Sequence, residues 1–309
     1  MKKLIVLGFF AVMLSGCNTW GVIFSPKVDP SDAKGEWDAV VPLSLTSFSD
    51  GGHGEPSVWS KLFDGKAEKY TGLCKGNNAG AAGVGVAVAA VGGAAWDIAV
   101  NAANSKVDEI KAKSMNTWSA TWAVSVADVK ATKCVALVRY KKSSNEFTNP
   151  QMAILLHLKD FEGGKAFQVI PLFILSKTSI ALTKDEGGGQ GTVGLSIAVA
   201  QASIDGEELK ESTGEAVTVG GVVVKENGEN EIGSALDVGM AKADNSMQGS
   251  KPIIYPKGTD VYLKFAITET GSLSGDDAKS KAELKAVTDA LGPIAKEALK
   301  KRFAPDNGD

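Results

Sequence analysis

The distribution of hydrophobic and polar positions changes near residue 115, and the pattern that follows is typical of β-strands. Apolar residues either alternate with polar ones or form short runs, with turn residues between the runs. Gly163-Gly164 predicts a hairpin between two of these runs, and the polar residues 226–251 predict a long loop. The predicted strands cover 119–129, 133–141, 152–161, 166–175, 192–204, 216–224 and 260–270.

The residues before this region are mixed in character. Residues 37–48 contain a strand-like run, and Pro42 within it indicates an edge strand because proline cannot donate to a strand ladder. Helices that would join parallel strands are missing from the pattern. We therefore predict a mainly β (α+β) fold, an antiparallel β-sandwich over 36–309, with a helical insertion at 76–115.

Residues 76–96 carry no charge and consist mostly of eight alanines and six glycines. Apolar positions then recur at helical steps from Trp96 to Ile110, which predicts a Gly/Ala-rich helix over about 80–113. Small residues four apart, as in glycine-zipper segments, allow close helix approach. Two alternatives stay open. The segment is either a close-packed helix or partly flexible insertion on the sandwich, or an element that enters a membrane or self-associates.

A second helix is predicted at the end of the chain, over 276–303. An apolar stripe runs along it, acidic residues lie at its start and basic residues at its end, as the helix dipole favours. Gly292-Pro293 should kink or divide it. We favour docking of the stripe against the sandwich, with display to a partner protein as the alternative. The stripe consists of Leu284, Val287, Leu291, Ile294 and Ala298.

The first 17 residues have the layout of a secretory signal. Lys2 and Lys3 precede an apolar run that is too short to span a bilayer, and Leu14-Ser15-Gly16 leads to Cys17. This segment resembles a bacterial lipobox, and the resemblance implies cleavage after residue 16 and acylation of Cys17. A plain signal peptide with a chance cysteine is the alternative. Asn18 stands where inner-membrane lipoproteins of enteric bacteria carry Asp, and by that resemblance we expect the outer membrane.

Residues 17–35 contain two prolines and little periodicity, so we predict a lipidated tether there. Cleavage would remove two of the 33 basic residues. The 31 that remain, together with 36 acidic residues, give a formal charge near −5. No basic run stands out, and we expect no nucleic-acid partner. Contact with the membrane is expected through acyl chains.

Two cysteines remain once Cys17 is acylated. In an oxidising compartment Cys74 and Cys134 predict one disulfide, although free or metal-bound thiols stay open as an alternative. Metal binding would need further ligands, and the chain offers only His53 and His157. We therefore expect no metal and no cofactor.

Catalytic motifs are absent from the sequence. There is no nucleophile elbow, phosphate-binding loop or zinc-protease motif, and neither His53, in a Gly-rich loop, nor His157, in a strand, has an evident catalytic partner. The hypothesis we favour is a non-enzymatic periplasmic lipoprotein that binds an envelope protein. One alternative is a binding module for a ligand or cell-wall glycan, which predicts that the scattered indoles gather around one cleft. The other two are a hydrolase and a membrane-active or oligomerising protein. The indoles available to a cleft are Trp37, Trp59, Trp118 and Trp122.

Overall fold

The computed structural model describes most of the chain between Ser25 and Leu273. The predicted signal peptide, Cys17, Asn18, His53, the segment 76–105 and the helix predicted over 276–303 lie outside the described residues. The described ranges are 25–31, 36–49, 56–75, 106–141, 150–161, 163–205, 208–226, 232–239, 249–256 and 260–273.

Twelve strands and four α-helices are found in these ranges. The strands are β1 (Lys27–Val28), β2 (Glu36–Leu43), β3 (Met115–Ser125), β4 (Cys134–Lys141), β5 (Pro150–Phe161), β6 (Ala166–Ser176), β7 (Thr183–Lys184), β8 (Gln190–Asp205), β9 (Glu208–Lys225), β10 (Ser234–Asp237), β11 (Ile253–Ile254) and β12 (Asp260–Gly271). The helices are α1 (Val58–Phe63), α2 (Thr71–Lys75), α3 (Lys106–Lys113) and α4 (Val126–Ala131), with 3-10 turns at Leu45–Phe48 and Glu68–Tyr70.

Two antiparallel sheets pack face to face, which confirms the predicted sandwich. The first has the order β10-β6-β5-β4-β2, with β11 also paired to β6, and the second has the order β3-β12-β8-β9. β2 is an edge strand, as Pro42 predicted. Alternate residues of each strand point between the sheets, so that Ile154, Leu156 and Leu158 meet Phe265 in one core.

A helical layer covers the other face of the first sheet. Trp59, Leu62 and Phe63 of α1 pack there with Leu155 and Phe173 in a second hydrophobic cluster. Both faces of the central strands are therefore buried. This explains why β5 and β6 are apolar almost throughout and show no strict alternation.

The outer face of the second sheet has a different composition. Its central positions on β8 and β12 carry small side chains, and Ala198, Ala266 and Thr268 are fully buried.

Several turns and ends agree with the predictions from sequence. Gly163 and Gly164 join β5 to β6 with φ of 68° and 82°, a left-handed conformation that glycine adopts without strain. The long helix predicted over 80–113 ends as predicted at Lys113, in α3. Its remaining part lies outside the described residues.

The strand predicted over 119–129 is wrong at its end. β3 stops at Ser125, and the chain turns directly into α4. The cause is local capping, since the Ser125 hydroxyl accepts a hydrogen bond from the backbone N–H of Asp128 at 3.0 Å. Val126 and Val129, which suggested a longer strand, belong to this short helix.

Two further predictions require correction. The loop predicted over 226–251 contains β10, which pairs with β6 through backbone hydrogen bonds. β9 begins at Glu208 rather than at 216, because its polar first half pairs with β8 although it lacks apolar alternation.

The tether predicted over 17–35 is also docked in part. Lys27 and Val28 pair with Lys184 and Thr183, and Val28 is buried. Gly191 of β8 leaves room for β7, the strand that pairs with Lys27 and Val28, since a Cβ at Gly191 would lie 2.7 Å from the Lys184 carbonyl oxygen and 3.2 Å from a Val28 methyl carbon. Residues 25–31 are called the strap below.

Candidate functional site

Three buried charged side chains meet between the two sheets at the end where the strap docks, and a half-buried fourth, Asp38, lies beside them on β2. We call Glu36, Asp38, Arg139 and Glu269 the Arg139 cluster. The Arg139 guanidinium lies 2.5 Å from a Glu36 carboxylate oxygen and 3.4 Å from Glu269. The side chains of Glu36, Arg139 and Glu269 are at most 3% exposed. Ionic groups are therefore held inside the sandwich core.

Each sheet contributes to the Arg139 cluster through the alternation of its strands. Arg139 follows Val135 and Leu137 at inward positions of β4, and it pairs in register with Asp38 of β2. Glu269 reaches the same place from β12, two positions after the core residue Ile267. The cluster therefore depends on the meeting of three separate strands.

Neutral groups satisfy the remaining atoms of Glu269. One of its carboxylate oxygens accepts from the Trp118 indole N–H at 3.0 Å. The other accepts from the Ser179 hydroxyl at 2.5 Å and from the backbone N–H of Ile180 at 2.8 Å. Arg139 also donates to the carbonyl of Thr178 at 2.7 Å. This network connects the segment after β6 to both sheets.

The charges of the Arg139 cluster are unbalanced, because three carboxyl groups face one guanidinium. Burial raises the pKa of Asp38 to about 7, and Glu36 and Glu269 add to the rise. Arg139 and the backbone N–H of Ser119 oppose it. Burial alone would lower the pKa of Arg139, but Glu269 and Glu36 raise it above its usual value. Arg139 therefore stays charged, while Asp38 titrates near neutrality.

Two atoms of the Arg139 cluster have no hydrogen-bond partner among the described residues. They are Oε1 of Glu36 and Nε of Arg139. A buried polar atom without a partner costs free energy. Water that reached these two atoms would supply the missing hydrogen bonds, whereas the apolar side chains around the cluster gain nothing from water.

Cys74 and Cys134 lie at disulfide distance, with 2.10 Å between their sulfur atoms and 5.2 Å between their Cα atoms. The pair connects α2 of the helical layer to β4 of the first sheet. It therefore fixes this layer to the sandwich, as the prediction of a disulfide requires.

His157 lies beside this pair and shares a face of β5 with Leu155, as its position in the strand predicted. Its Nδ1 is 2.8 Å from the carbonyl of Lys133 and 3.9 Å from the Cys134 sulfur. Burial is the largest of the effects that lower its pKa below the usual value. A neutral, largely covered imidazole at this position serves packing.

The indoles do not gather around one cleft. Trp118 and Trp122 lie in the core between the sheets, whereas Trp59 lies in the helical layer and Trp37 packs against the same second cluster from β2. A surface cavity of about 440 Å³ opens beside Trp59, which is only 5% exposed and offers little ring surface. The cavity is lined by Phe48, Ser57, Trp59, Ser60, Gly65, Glu68 and Thr71.

Sequence reasoning brought Cys74 and Cys134 together but missed the Arg139 cluster. The available signal was a charged residue at an inward position of an apolar strand, at Arg139 and at Glu269. Within the described ranges, no three His, Cys, Asp or Glu side chains are arranged to hold a metal ion. No helix in those ranges is long and apolar enough to cross a bilayer. The chain matches no protein-family model, no curated protein and no solved structure at a significant level.

Proposed function

We propose that this chain is a lipid-anchored protein of the bacterial envelope that acts as a non-enzymatic structural or protein-interaction component. Acylation of Cys17 would anchor it to the periplasmic face of the outer membrane, consistent with Asn18 at the sorting position. The sequence of residues 1–17 supports the anchor. More than one acyl chain would make the attachment stable.

The docked strap is the observation that carries this proposal furthest. Ser25 lies eight positions after Cys17, and eight extended residues reach at most about 28 Å. Pairing of Lys27 and Val28 with β7 then fixes the chain to one end of the sandwich. A lipid on Cys17 would hold that end close to the bilayer and present the rest of the fold to the periplasm.

The roles of the buried polar residues support a function that is not enzymatic. His157 is used in packing beside the disulfide, and Glu269 is held by Trp118, Ser179 and Ile180. Protein partners would therefore contact surfaces of the sandwich and of the helical layer. An envelope protein is the partner class that this location favours.

Replacing Cys17 with serine tests the anchor. We expect the wild-type protein in the membrane fraction and the Cys17→Ser protein in the soluble periplasmic fraction, because serine carries no thioether-linked lipid. Asn18→Asp is the matched control. It should leave the protein membrane-bound, with a shift towards the inner membrane where the enteric sorting rule applies. Membrane retention of Cys17→Ser after a carbonate wash would contradict the proposal.

Crosslinking in intact cells tests the interaction role. We expect wild-type protein to give a discrete crosslinked species that contains an envelope protein. The yield should fall in Cys17→Ser, because the lipid concentrates the protein beside its partner. A wild-type protein that is anchored but gives no crosslinked species would argue against a protein-interaction role.

A further inference from the structure

The outer face of the second sheet is buried along its two central strands. The even-numbered positions 196–202 of β8 and the outward residues Tyr262, Ala266 and Thr268 of β12 are at most 3% exposed. We call these positions the outer band. Burial decreases on either side of it, since the described outward residues of β3 and β9 are half-buried or exposed. The outer band is therefore two strands wide.

The side chains of the outer band are too small to cover one another. Ala198 lies between Ala266 of β12 and Ala216 of β9. Along β8, its neighbours on the same face are Ser196 and Ala200. Ala198 and Ala266 also belong to neither of the two hydrophobic clusters described above. Their full burial therefore requires a further layer on the outside of the second sheet.

Two hydroxyl groups on this face have no hydrogen-bond partner among the described residues. Tyr262 is only 3% exposed, and its hydroxyl is one of them. The buried Oγ1 of Thr270, eight positions further along β12, is the other. Tyr262 lies at one end of the outer band, and Thr270 lies just beyond the other end. Because a buried hydroxyl without a partner costs free energy, the covering layer should offer polar groups at both ends.

A single α-helix has the dimensions of this layer. Neighbouring strands lie about 4.8 Å apart, so two strands with their side chains present a band about 10 Å wide. This is also the diameter of an α-helix, about 10 Å. Six residues separate Tyr262 from Thr268, a distance of about 20 Å along β12, which about 13 helical residues would cover.

We propose that the apolar stripe of residues 276–303 docks on the outer band. β12 ends at Gly271, beside Thr270, and buried Leu273 is only two residues from the start of the predicted helix. A connection of this length leads a chain from a strand back over its own sheet. Residues 276–291, before Gly292-Pro293, would form a helix of about 24 Å, antiparallel to β12 and long enough for the outer band.

Side-chain volume favours this segment over the Gly/Ala-rich one. A face of alanine and serine leaves space that large apolar side chains must fill if native packing density is to be reached. Leu284, Val287 and Leu291 of the stripe supply this volume. Residues 76–95 contain no apolar side chain larger than valine, so they would leave the space unfilled.

The two ends of the docked helix would offer the polar groups that the hydroxyls need. The first N–H groups and the last carbonyl groups of a helix have no partner within it. In the antiparallel orientation the helix begins near Thr270, whose Oγ1 can accept a hydrogen bond from a free N–H. The turn before Gly292-Pro293 lies near Tyr262, whose hydroxyl can donate to a free carbonyl. Docking thus accounts for the apolar and the polar groups of this face together.

Docking also withdraws the stripe from the surfaces that an envelope protein can reach. The partner would then contact the helical layer on the first sheet and not the helix of residues 276–303. This inference does not depend on the lipid anchor at Cys17, so its failure is distinct from failure of the proposed function.

Labelling of an added thiol in the mature, full-length protein tests the docking. Ser196→Cys places a thiol in the outer band with little change in volume, and Ala123→Cys places one at an exposed outward position of β3. Protein without an added cysteine gives the background reaction with a maleimide reagent. We expect labelling at least about 10-fold slower at position 196 than at position 123, because reaction at 196 requires the helix to open.

Charges in the stripe should remove this protection. Adding Leu284→Lys and Leu291→Lys to the Ser196→Cys protein should raise its labelling rate to within about threefold of that at position 123. Lys285→Glu with Asp289→Lys is the matched control, since both residues lie on the opposite side of the predicted helix, and it should keep the slow rate. Circular dichroism of each variant shows whether the sandwich remains folded.

Disulfide trapping provides a second test with an otherwise intact stripe. Ser196→Cys should form a disulfide with Leu284→Cys or Val287→Cys on mild oxidation, and it should form none with Lys285→Cys. Absence of both disulfides, or slow labelling at position 196 that survives the two lysines, would overturn the proposal. Protection that is lost on dilution would identify a second copy as the cover. Protection that is lost with Ala89→Lys but not with the stripe variant would identify the Gly/Ala-rich segment, and either result would also overturn it.

Discussion

Replacing Arg139 with methionine is expected to destabilise the fold by about 3–5 kcal/mol, because it leaves buried carboxylates without their counter-ion. Arg139 is 1% exposed and pairs with Glu36 and Glu269. Urea unfolding monitored by circular dichroism gives the free energy of unfolding. Lys133→Met is the matched control. Its pair with Asp160 is partly exposed, so that variant should change stability by less than about 1 kcal/mol.

A second substitution shows whether charge causes the loss. Adding Glu36→Gln to the Arg139→Met protein should recover part of the lost free energy, because it removes one of the stranded charges. Equal stability of Arg139→Met and the wild type would contradict the account of the Arg139 cluster. Failure of Glu36→Gln to rescue would show that packing, and not charge, explains the effect.

Loss of the Cys74–Cys134 pair is expected to have a comparable effect. The two residues are 60 positions apart, and on the chain-entropy model a loop of this length stabilises the folded state by about 4 kcal/mol. A Cys74→Ala/Cys134→Ala protein should therefore unfold at a clearly lower urea concentration than the wild type. The same shift should follow reduction of the wild-type protein.

Reduction of the double variant is the control for the disulfide, since it should have no further effect on stability. An unchanged urea midpoint in the double variant would show that the two sulfurs are not linked in the mature protein. A single Cys74→Ala protein with the same urea midpoint as the wild type would also show that the two sulfurs are not linked.

The sheets could be predicted because their signals are local. Alternation or an apolar run identifies β4, β5, β6 and β8, and paired glycines identify the turn at Gly163-Gly164. Pro42 marks an edge strand because of its own chemistry. These signals need only a few neighbouring residues, so the fold class follows from them.

Where partner strands or caps decide the structure, the sequence was less informative. Val126 and Val129 favour a strand by composition, but capping by Ser125 starts a helix. The strap looked like a tether because Val28 is its only buried residue, and its pairing partner Thr183 is 155 positions further along the chain. β10 forms because β6 offers it an open edge.

The Arg139 cluster could not have been assembled from sequence alone. Glu36, Arg139 and Glu269 lie on three strands that are more than 100 positions apart, and their meeting depends on strand order and register. The two cysteines were easier to pair, since few cysteines leave few combinations. A charge on the inward side of an apolar strand is a useful signal, but it does not identify its partner.

Mass analysis of the amino-terminal fragment from native membranes tests the central claim most directly. Digestion after Lys27 releases residues 17–27, and we expect this fragment to begin at Cys17 and to carry the added mass of its acyl chains. A fragment that starts upstream of Cys17, or one with an unmodified cysteine, would contradict the lipid anchor on which the proposed function rests.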